Sequence, residues 1–282
     1  MGEPEMWGRR SWELLSTVRE RSPLVQCITN LVSMDLMANV LLAGGASPAM
    51  VHSLPEINDF TPHTDALLIN IGTLSEAWLP SMMAAAAAAA RSGRPWVLDP
   101  VAVSASDFRL NACLQLLLLR PAVIRGNASE IIGISNASRV QGSKGADSSH
   151  ESVEAIDAAK SLALSTGAVV AVTGAVDLVT DGKQVMAVTN GVPMLQKITA
   201  TGCAVTALIA AFVAVTPQRA LQATACALAV FGLAGEIGMA TSRGPASLRM
   251  NLIDSLHGMD EEAVTSGVNI QHRASADLSP QP

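Results

Sequence analysis

The sequence has no tyrosine, and aromatic residues make up only 3% of its 282 residues. Charged residues are scarce at 15%, whereas hydrophobic residues reach 49%. A core built mainly from Ala, Leu, Val, Ile and Met lets helices pack closely on a sheet or on one another. The high apolar content excludes a disordered chain, and the length fits one large α/β domain or two small ones.

Positive charge is in short supply. Lys and Arg number 18 against 24 Asp and Glu, which gives a net charge of −6 at pH 7. No basic cluster stands out, so we expect no nucleic-acid partner. Residues 1–10 carry charges of both signs and no apolar run, so we predict no secretory signal in this stretch.

The cysteines are isolated from one another at positions Cys27, Cys113, Cys203 and Cys226. None belongs to a C-x-x-C pair, and no pair of histidines lies near them in sequence. The pattern therefore predicts neither a zinc site nor a disulfide framework. It favours a reducing, cytoplasmic setting.

One uncharged stretch, residues 198–218, raises the question of a membrane span, as does the mean hydropathy of +0.35. Its uninterrupted apolar part, residues 204–215, would measure about 18 Å as a helix. A bilayer core needs about 30 Å. We therefore predict a buried helix and no membrane partner.

Short apolar strands alternate with helical segments along the chain. This alternation predicts an α/β fold with a mostly parallel central sheet and helices on both faces, in a single domain over residues 1–270. We expect residues 271–282 to form a disordered tail. Residues 138–152, which are polar and rich in Gly and Ser, are expected to form a mobile, lid-like loop.

Polar residues recur where the predicted strands end. They are Asn30, Asn70, Asp99, Arg125 and Thr173, with Asn127 and Glu130 in the turn after Arg125. The carboxyl ends of parallel strands share one edge of a sheet, where α/β proteins bind ligands. Carboxylates that can hold Mg²⁺, together with a cation, are parts that phosphoryl transfer requires. By themselves, Asn127 and Glu130 form an ordinary capping box.

Thr201, Gly202 and Cys203 stand directly before an apolar helix. The unpaired N–H groups and the dipole of a helix start favour an anion, and Gly202 lets a ligand approach the backbone. At this position we expect the Cys203 thiolate to be stabilised and its pKa to be lowered. A capped core helix with an inert buried cysteine is the alternative.

Neither G-x-x-x-x-G-K-[ST] nor the protein-kinase motif set is present, so a nucleotide site would be of another type. Six stretches in order carry a resemblance that runs from about residue 12 to residue 256. They are Gln26–Asn30, Gly44–Met50, Leu68–Leu74, Leu98–Val101, Arg125–Glu130 and Thr201–Cys203. In these stretches the chain resembles the hydroxyethylthiazole kinase family, thiamin-salvage enzymes of the ribokinase-like fold.

The resemblance implies ATP- and Mg²⁺-dependent phosphorylation of the primary alcohol of 4-methyl-5-(2-hydroxyethyl)thiazole. It also implies a homotrimer with active sites between subunits. By position, Arg125 and Thr173 would contact ATP, with Asn127 as a further cofactor-binding candidate. Asp99 and Glu130 would serve Mg²⁺ and the phosphates.

The resemblance further implies a thiazole pocket and an anion hole. Met50, Ala200 and Asn30 would line the pocket, while Thr201, Gly202 and the Cys203 amide would bind the transferring phosphoryl group. The family usually has Gly at the position of Ala200. A positive φ there would cost about 1 kcal/mol, and otherwise the methyl group would trim the pocket and disfavour bulky thiazoles.

Most ribokinase-like kinases have an Asp where Cys203 stands, placed to take the proton of the attacking hydroxyl. A thiolate can also do so, although a loose transition state needs little proton removal before the bond breaks. Our hypothesis is that Cys203 positions the alcohol and acts as a weak base.

Three competing functions remain open at this point. A hydroxymethylpyrimidine or pyridoxal kinase would share the fold, but Cys203 and the Met50 segment speak against it. An ATP-dependent hydratase or dehydratase acting on a nicotinamide derivative would hydrolyse ATP without a phosphorylated product. A catalytically silent metabolite-binding protein, at which only Ala200 hints, would bind a ligand without turning over ATP.

Overall fold

The computed structural model describes residues 3–140 and 151–273. The strands in these residues are β1 (Leu24–Ile28), β2 (Ser47–Ala49), β3 (Ala66–Asn70), β4 (Trp96–Asp99), β5 (Val123–Asn127), β6 (Val169–Thr173), β7 (Asp177–Thr180), β8 (Val185–Val188) and β9 (Ile270–Arg273). They form one sheet in the order β2-β1-β3-β4-β5-β6-β7-β8-β9. The first six strands in this order are parallel and the last three are antiparallel. The predicted mostly parallel sheet is confirmed.

The helices are α1 (Glu3–Arg21), α2 (Met34–Gly44), α3 (Leu54–Phe60), α4 (Leu79–Arg91), α5 (Asp107–Leu117), α6 (Ala128–Val140), α7 (Glu151–Thr166), α8 (Thr201–Val215), α9 (Ala220–Met239), α10 (Pro245–Gly258) and α11 (Glu261–Gly267). Short 3-10 helices occupy Thr61–His63, Val103–Ala105, Pro193–Lys197 and Pro217–Arg219. Most parallel strands are therefore followed by a helix, which is the connection that a parallel sheet requires.

Both faces of the sheet are buried, because side chains alternate along each strand. In β3, Leu68 packs into one core, whereas Leu67 and Ile69 pack into the other. Side chains of α1, α2, α8, α9 and α10 complete the first core, and side chains of α3 to α7 complete the second. The predicted helix layers on both faces are thus confirmed.

Small residues bring α9 close to the loop after β8, as the composition suggested. A Cβ atom added to Gly232 would lie 2.6 Å from the backbone carbonyl of Asn190. No real Cβ contact is that short, so the helix and the loop touch backbone to backbone at this point. The same loop forms one wall of the site described below.

The expected disordered tail is wrong at its beginning. Gln271, His272 and Arg273 belong to β9, which pairs antiparallel with β8. An edge strand is held by backbone hydrogen bonds, so its exposed polar side chains do not oppose pairing. Residues 274–282 lie outside the described residues.

The expected loop over residues 138–152 is also wrong at both ends. Ser138 lies in α6 and donates from Oγ to the carbonyl of Ile134, while α7 already begins at Glu151. A serine inside a helix can satisfy its hydroxyl on the preceding turn, so its polarity does not end the helix. Residues 141–150, where the predicted lid would lie, are outside the described residues.

The predicted buried helix is confirmed as α8, whose residues 204–213 are all buried. Within the described part of the chain, residues 217–239 form a helix long and apolar enough to cross a membrane. In this helix, 78% of the most apolar window is buried inside the fold. That burial is typical of a core helix.

Candidate active site

The polar residues predicted at the strand ends form a continuous row along one edge of the sheet. Asn30 Nδ2 donates to Asn70 Oδ1, and Asn70 Nδ2 donates to Asp99 Oδ2, each at 2.8 Å. Arg125 Nη1 lies 4.0 Å from Asp99 Oδ1, and Arg125 Nη2 donates to Thr173 Oγ1 at 2.5 Å. Asn70, Asp99 and Thr173 end β3, β4 and β6, whereas Asn30 lies just after β1 and Arg125 lies inside β5 near its carboxyl end. The predicted gathering of these residues at one edge of the sheet is confirmed.

Asp99 is fully buried at the centre of this row. Its Oδ2 accepts from Asn70 and from Thr206 Oγ1, the latter at 3.0 Å. Its Oδ1 is buried with no hydrogen-bond partner. Burial raises the pKa of Asp99 to about 6, against the opposing effect of the Arg125 guanidinium. An unpaired oxygen on a buried carboxylate marks a position where a ligand or cation would be stabilised.

The loop before α8 is held in a strained conformation. Ala200 caps the helix with φ 67° and ψ 7°, in the left-handed region that costs a non-glycine residue about 1–2 kcal/mol. Thr201 Oγ1 lies 3.1 Å from the carbonyls of both Leu195 and Ile198, to which it donates. Because this hydroxyl ties down its own loop, an anion would be bound mainly by the backbone N–H groups of the first helical turn.

Gly202 allows a side chain to cross the start of α8. A Cβ atom at this position would lie 2.7 Å from Arg125 Nη1 and 3.0 Å from Nη2. The guanidinium therefore lies directly over the first turn of the helix. Arg125 Nε is buried without a hydrogen-bond partner. A cation and a helix N-terminus lie side by side here, as binding of a phosphate requires.

Cys203 follows in the same turn and is half-buried. Its Sγ accepts from Asn30 Nδ2 at 3.4 Å and from Asn70 Nδ2 at 3.2 Å. Burial, reinforced by the nearby Asp99 carboxylate, raises the pKa of this thiol to about 11. The expected lowering of the pKa is therefore wrong. The two amide donors and the Arg125 guanidinium, which lower the pKa of the thiol, do not offset the loss of solvation.

Glu130 and Asn127 form the predicted capping box. Asn127 Oδ1 accepts from the Glu130 N–H at 2.9 Å, and Glu130 Oε2 accepts from the Asn127 N–H at 2.8 Å. Glu130 Oε1 also accepts from the Ala102 N–H, in the loop after β4. The carboxylate thus joins the loop that follows Asp99 to the turn that follows Arg125. The exposed Asn127 is occupied with this cap and does not line the cavity described below.

Met50 lies just after the edge strand β2 and is half-buried against the core. His52 connects it to the row of polar residues. The Nδ1 of His52 contacts the Met50 carbonyl at 2.9 Å, and its Nε2 accepts from the Thr29 N–H at 3.4 Å. The His52 ring also packs on Trp78, with 4.6 Å between ring centroids. Met50 is therefore held beside the residue that precedes Asn30.

A cavity of about 230 Å³ opens on the other side of Arg125. Its polar lining includes Arg125, Thr173, Asp177, Thr201 and Gly202. The remaining walls are mainly apolar: Val192, Pro193, Leu195, Val205, Leu228 and Phe231. A mostly apolar pocket with a cation in its wall suits a nucleotide base and its phosphates.

Comparisons with known proteins show the family of the chain. The model of the hydroxyethylthiazole kinase family matches residues 15–262. The chain belongs to the hydroxyethylthiazole kinase family. A protein of Zea mays described as hydroxyethylthiazole kinase is 69% identical over 269 residues, which cover 95% of each chain.

Solved structures agree on the fold. The structure of hydroxyethylthiazole kinase protein from Pyrococcus horikoshii OT3 has a TM-score of 0.87 at 39% identity, and covers 94% of this chain and 99% of that one. A ribokinase-like superfamily protein of Enterococcus faecalis V583 has a TM-score of 0.60 at 12% identity, with 86% and 88% covered. At such low identity the second likeness shows the fold alone, which is ribokinase-like.

In this member of the hydroxyethylthiazole kinase family, two carboxylates are available for Mg²⁺. The described residues contain no group of three or more His, Cys, Asp or Glu side chains able to hold a metal. Mg²⁺ in nucleotide sites needs only one or two carboxylates, since water and phosphate oxygens complete its shell. The unpaired Oδ1 of Asp99, with Glu130 close enough to raise the pKa of Asp99, fits that requirement.

Among the residues that sequence reasoning missed, Thr206 and Arg109 support the site most directly. Thr206 lies four residues after Gly202, and this spacing on α8 could have placed it on the same helix face. Arg109 donates to the carbonyls of Ile71, Gly72 and Val101, and so ties the loops after β3 and β4 together. No pattern in the sequence indicates this role for Arg109, because its acceptors are backbone carbonyls, which any residue type supplies.

Proposed function

We propose that this chain transfers the γ-phosphoryl group of ATP to the primary alcohol of 4-methyl-5-(2-hydroxyethyl)thiazole, in thiamin salvage. The alcohol oxygen forms a bond to the γ-phosphorus, the bond from that phosphorus to its bridging oxygen breaks, and the alcohol proton is released. The products are the thiazole phosphate and ADP. The observation that most strongly supports this proposal is the position of the Arg125 guanidinium. It lies over the start of α8, between an apolar cavity and a cluster of buried polar groups.

Arg125 and Thr173 form the proposed nucleotide side. The guanidinium would bind the phosphates together with the N–H groups of Thr201, Gly202 and Cys203. Thr173 Oγ1 orients the guanidinium, since it accepts from Nη2. Phosphoryl transfer depends mainly on positioning and charge stabilisation, and this arrangement supplies both.

Asp99 and Glu130 would hold Mg²⁺, which when bound neutralises charge on the β- and γ-phosphates. Asp99 offers an oxygen without a hydrogen-bond partner. Glu130 is fixed through two backbone N–H groups, so it would present its remaining lone pairs without rearrangement. Asn127 serves the site indirectly, by capping the helix that carries Glu130.

Met50, Asn30 and Ala200 would bind the thiazole alcohol. Met50 offers an adaptable apolar wall, and Asn30 and Cys203 bring polar atoms close to the start of α8. Because the thiol is protonated at neutral pH, Cys203 would position the hydroxyl rather than remove its proton.

We also propose a homotrimer with active sites between subunits. Its support is an exposed apolar pair next to Asn30, since Leu31 is 68% and Val32 60% exposed. Adjacent exposed apolar side chains beside a site suit coverage by a second copy. Light scattering after size-exclusion chromatography tests this, and a monomeric mass with full activity would contradict it. The four free thiols support a reducing, cytoplasmic setting.

The deciding experiment is an ADP-release assay with Mg²⁺, ATP and the thiazole alcohol, combined with mass spectrometry of the product. A thiazole phosphate formed in step with ADP is expected. ADP release without a phosphorylated thiazole would reject the substrate and favour an ATP-hydrolysing dehydratase. Ligand binding without ADP release would favour a silent binding protein.

A further inference from the structure

We infer that Asn70 is a positioning residue for the proposed phosphoryl transfer, on which the inference rests. Its amide fixes the Asp99 carboxylate, the Cys203 thiol and the Asn30 amide in one arrangement. Asn70 ends β3, the strand that lies between β1 and β4, and its Cα is paired in register with that of Asp99. The side chain is only 1% exposed. It thus stands at the middle of the row of polar groups and out of contact with solvent.

The amide of Asn70 has all four of its hydrogen-bonding positions occupied. Its Oδ1 accepts from Asn30 Nδ2 at 2.8 Å and from the Gly72 N–H at 2.9 Å. Its Nδ2 donates to Asp99 Oδ2 at 2.8 Å and to Cys203 Sγ at 3.2 Å. A carboxamide has two donors and two lone pairs, so none remains for a substrate. The residue can therefore act only through its partners.

Asn70 also determines which oxygen of Asp99 stays available. The carboxylate receives both of its hydrogen bonds, from Asn70 and from Thr206, on Oδ2. A rotation of the carboxylate would break both bonds inside a dry environment, where an unpaired group is costly. Oδ1 is consequently held without a hydrogen bond, 4.0 Å from Arg125 Nη1. This is the oxygen that the proposed function uses.

The same amide connects this carboxylate to the alcohol side of the site. Asn70 and Asn30 both donate to Cys203 Sγ, so the thiol has a fixed position. Asn30 has an independent anchor, because its Oδ1 accepts from the N–H groups of Val32 and Ser33. Loss of Asn70 should therefore displace Asp99 and Cys203 while Asn30 stays in place.

The test compares Asn70→Ala with two other variants. Thr206→Val keeps the shape of the side chain and removes the hydroxyl, whose single proton is shared between Asp99 Oδ2 and the Gly202 carbonyl. Thr180→Val is the matched control, because Thr180 is equally buried and its hydroxyl makes two backbone hydrogen bonds in the turn between β7 and β8. Melting temperatures of all three variants measure how far each change destabilises the fold.

For Asn70→Ala we expect kcat to fall about 10- to 100-fold, the effect typical of lost supporting hydrogen bonds. The KM for the thiazole alcohol should stay within about 3-fold, because Asn30 keeps its anchor. Thr206→Val should show a smaller fall in kcat with the same constant KM. Thr180→Val should keep kcat within about 2-fold although its melting temperature falls.

A crystal structure of unliganded Asn70→Ala gives a readout that does not depend on turnover. We expect the Asp99 carboxylate to be rotated and the Cys203 thiol to be displaced. Unmoved side chains, or an unchanged kcat, would overturn the inference, as would a KM effect equal to the kcat effect. If Asn70→Ala does not fold, Thr206→Val decides by the same criteria. If the wild-type protein forms no thiazole phosphate, the proposed function is wrong. The crystal structure of Asn70→Ala would still show whether Asn70 holds Asp99 and Cys203 in place.

Discussion

The thiol of Cys203 is expected to work in its protonated form. With a pKa of about 11, only about one thiol in a thousand is ionised at pH 8. A thiolate that served as the base would therefore make kcat rise about tenfold per pH unit between pH 7.5 and 9. A loose transition state needs no such base. We expect kcat to change less than about 2-fold over this range.

The matched perturbation is Cys203→Ser. The serine oxygen can accept from Asn30 and Asn70 as the sulfur does, so we expect kcat to stay within about 10-fold of the wild type, with an equally flat pH profile. Cys203→Ala should lose more activity, because it leaves two buried amide donors without an acceptor. The assay is ADP release at saturating substrates in a buffer series of constant ionic strength. A unit slope in the wild type that disappears in Cys203→Ser would refute this reasoning and restore the thiolate base.

Three further changes test other parts of the site. Ala200→Gly removes left-handed strain of about 1–2 kcal/mol but adds about 0.4–1 kcal/mol of freedom to the unfolded chain, a net gain of up to about 1.6 kcal/mol. The melting temperature should therefore rise by up to about 3 °C and should not fall. Ala204→Gly inside α8 should lower the melting temperature, and a fall for both variants would contradict the strain at Ala200. Gly202→Ala should displace Arg125 and lower kcat/KM for ATP by about 10- to 100-fold. Unchanged kinetics would show that Arg125 does not bind the phosphates. Asp99→Asn should abolish activity, yet it should unfold at higher denaturant concentration than the wild type above pH 6. Because burial raises the pKa of Asp99, the folded protein binds more protons than the unfolded chain between about pH 4 and 6. The wild type therefore loses stability as the pH rises through this range, whereas a neutral asparagine at this position does not. Equal denaturation midpoints of Asp99→Asn and the wild type at pH 8 would argue against a stability cost from ionising the buried Asp99.

The row of polar residues near the strand ends could be predicted from the pattern of apolar runs in the sequence. Asn70 and Asp99 each follow an uninterrupted apolar run, and a parallel sheet brings such ends together. The capping box at Asn127 was equally visible from its spacing. The geometry of such local patterns follows from neighbouring residues in the sequence, so it can be predicted without knowledge of the rest of the fold.

The remaining features depend on contacts between distant segments. Burial of Cys203 against Asp99 reverses the pKa shift that its helix position alone would give. Arg109 joins two loops through backbone carbonyl oxygens, which every residue type has and which the sequence therefore does not distinguish. Residues 271–273 form a strand because β8 offers an unpaired edge, although their own sequence is polar. In each case at least one deciding partner lies far away in the chain.

The contact between His52 and Trp78 has a spectroscopic consequence. Since the chain has no tyrosine, its near-ultraviolet fluorescence comes almost entirely from four tryptophans. Trp7 and Trp96 are buried, whereas the half-buried Trp78 packs in a tilted arrangement against His52, the histidine that contacts the Met50 carbonyl. A thiazole that displaces this loop would change the emission of Trp78 more than that of the others. The molecule thus carries its own optical probe at the pocket proposed for the alcohol.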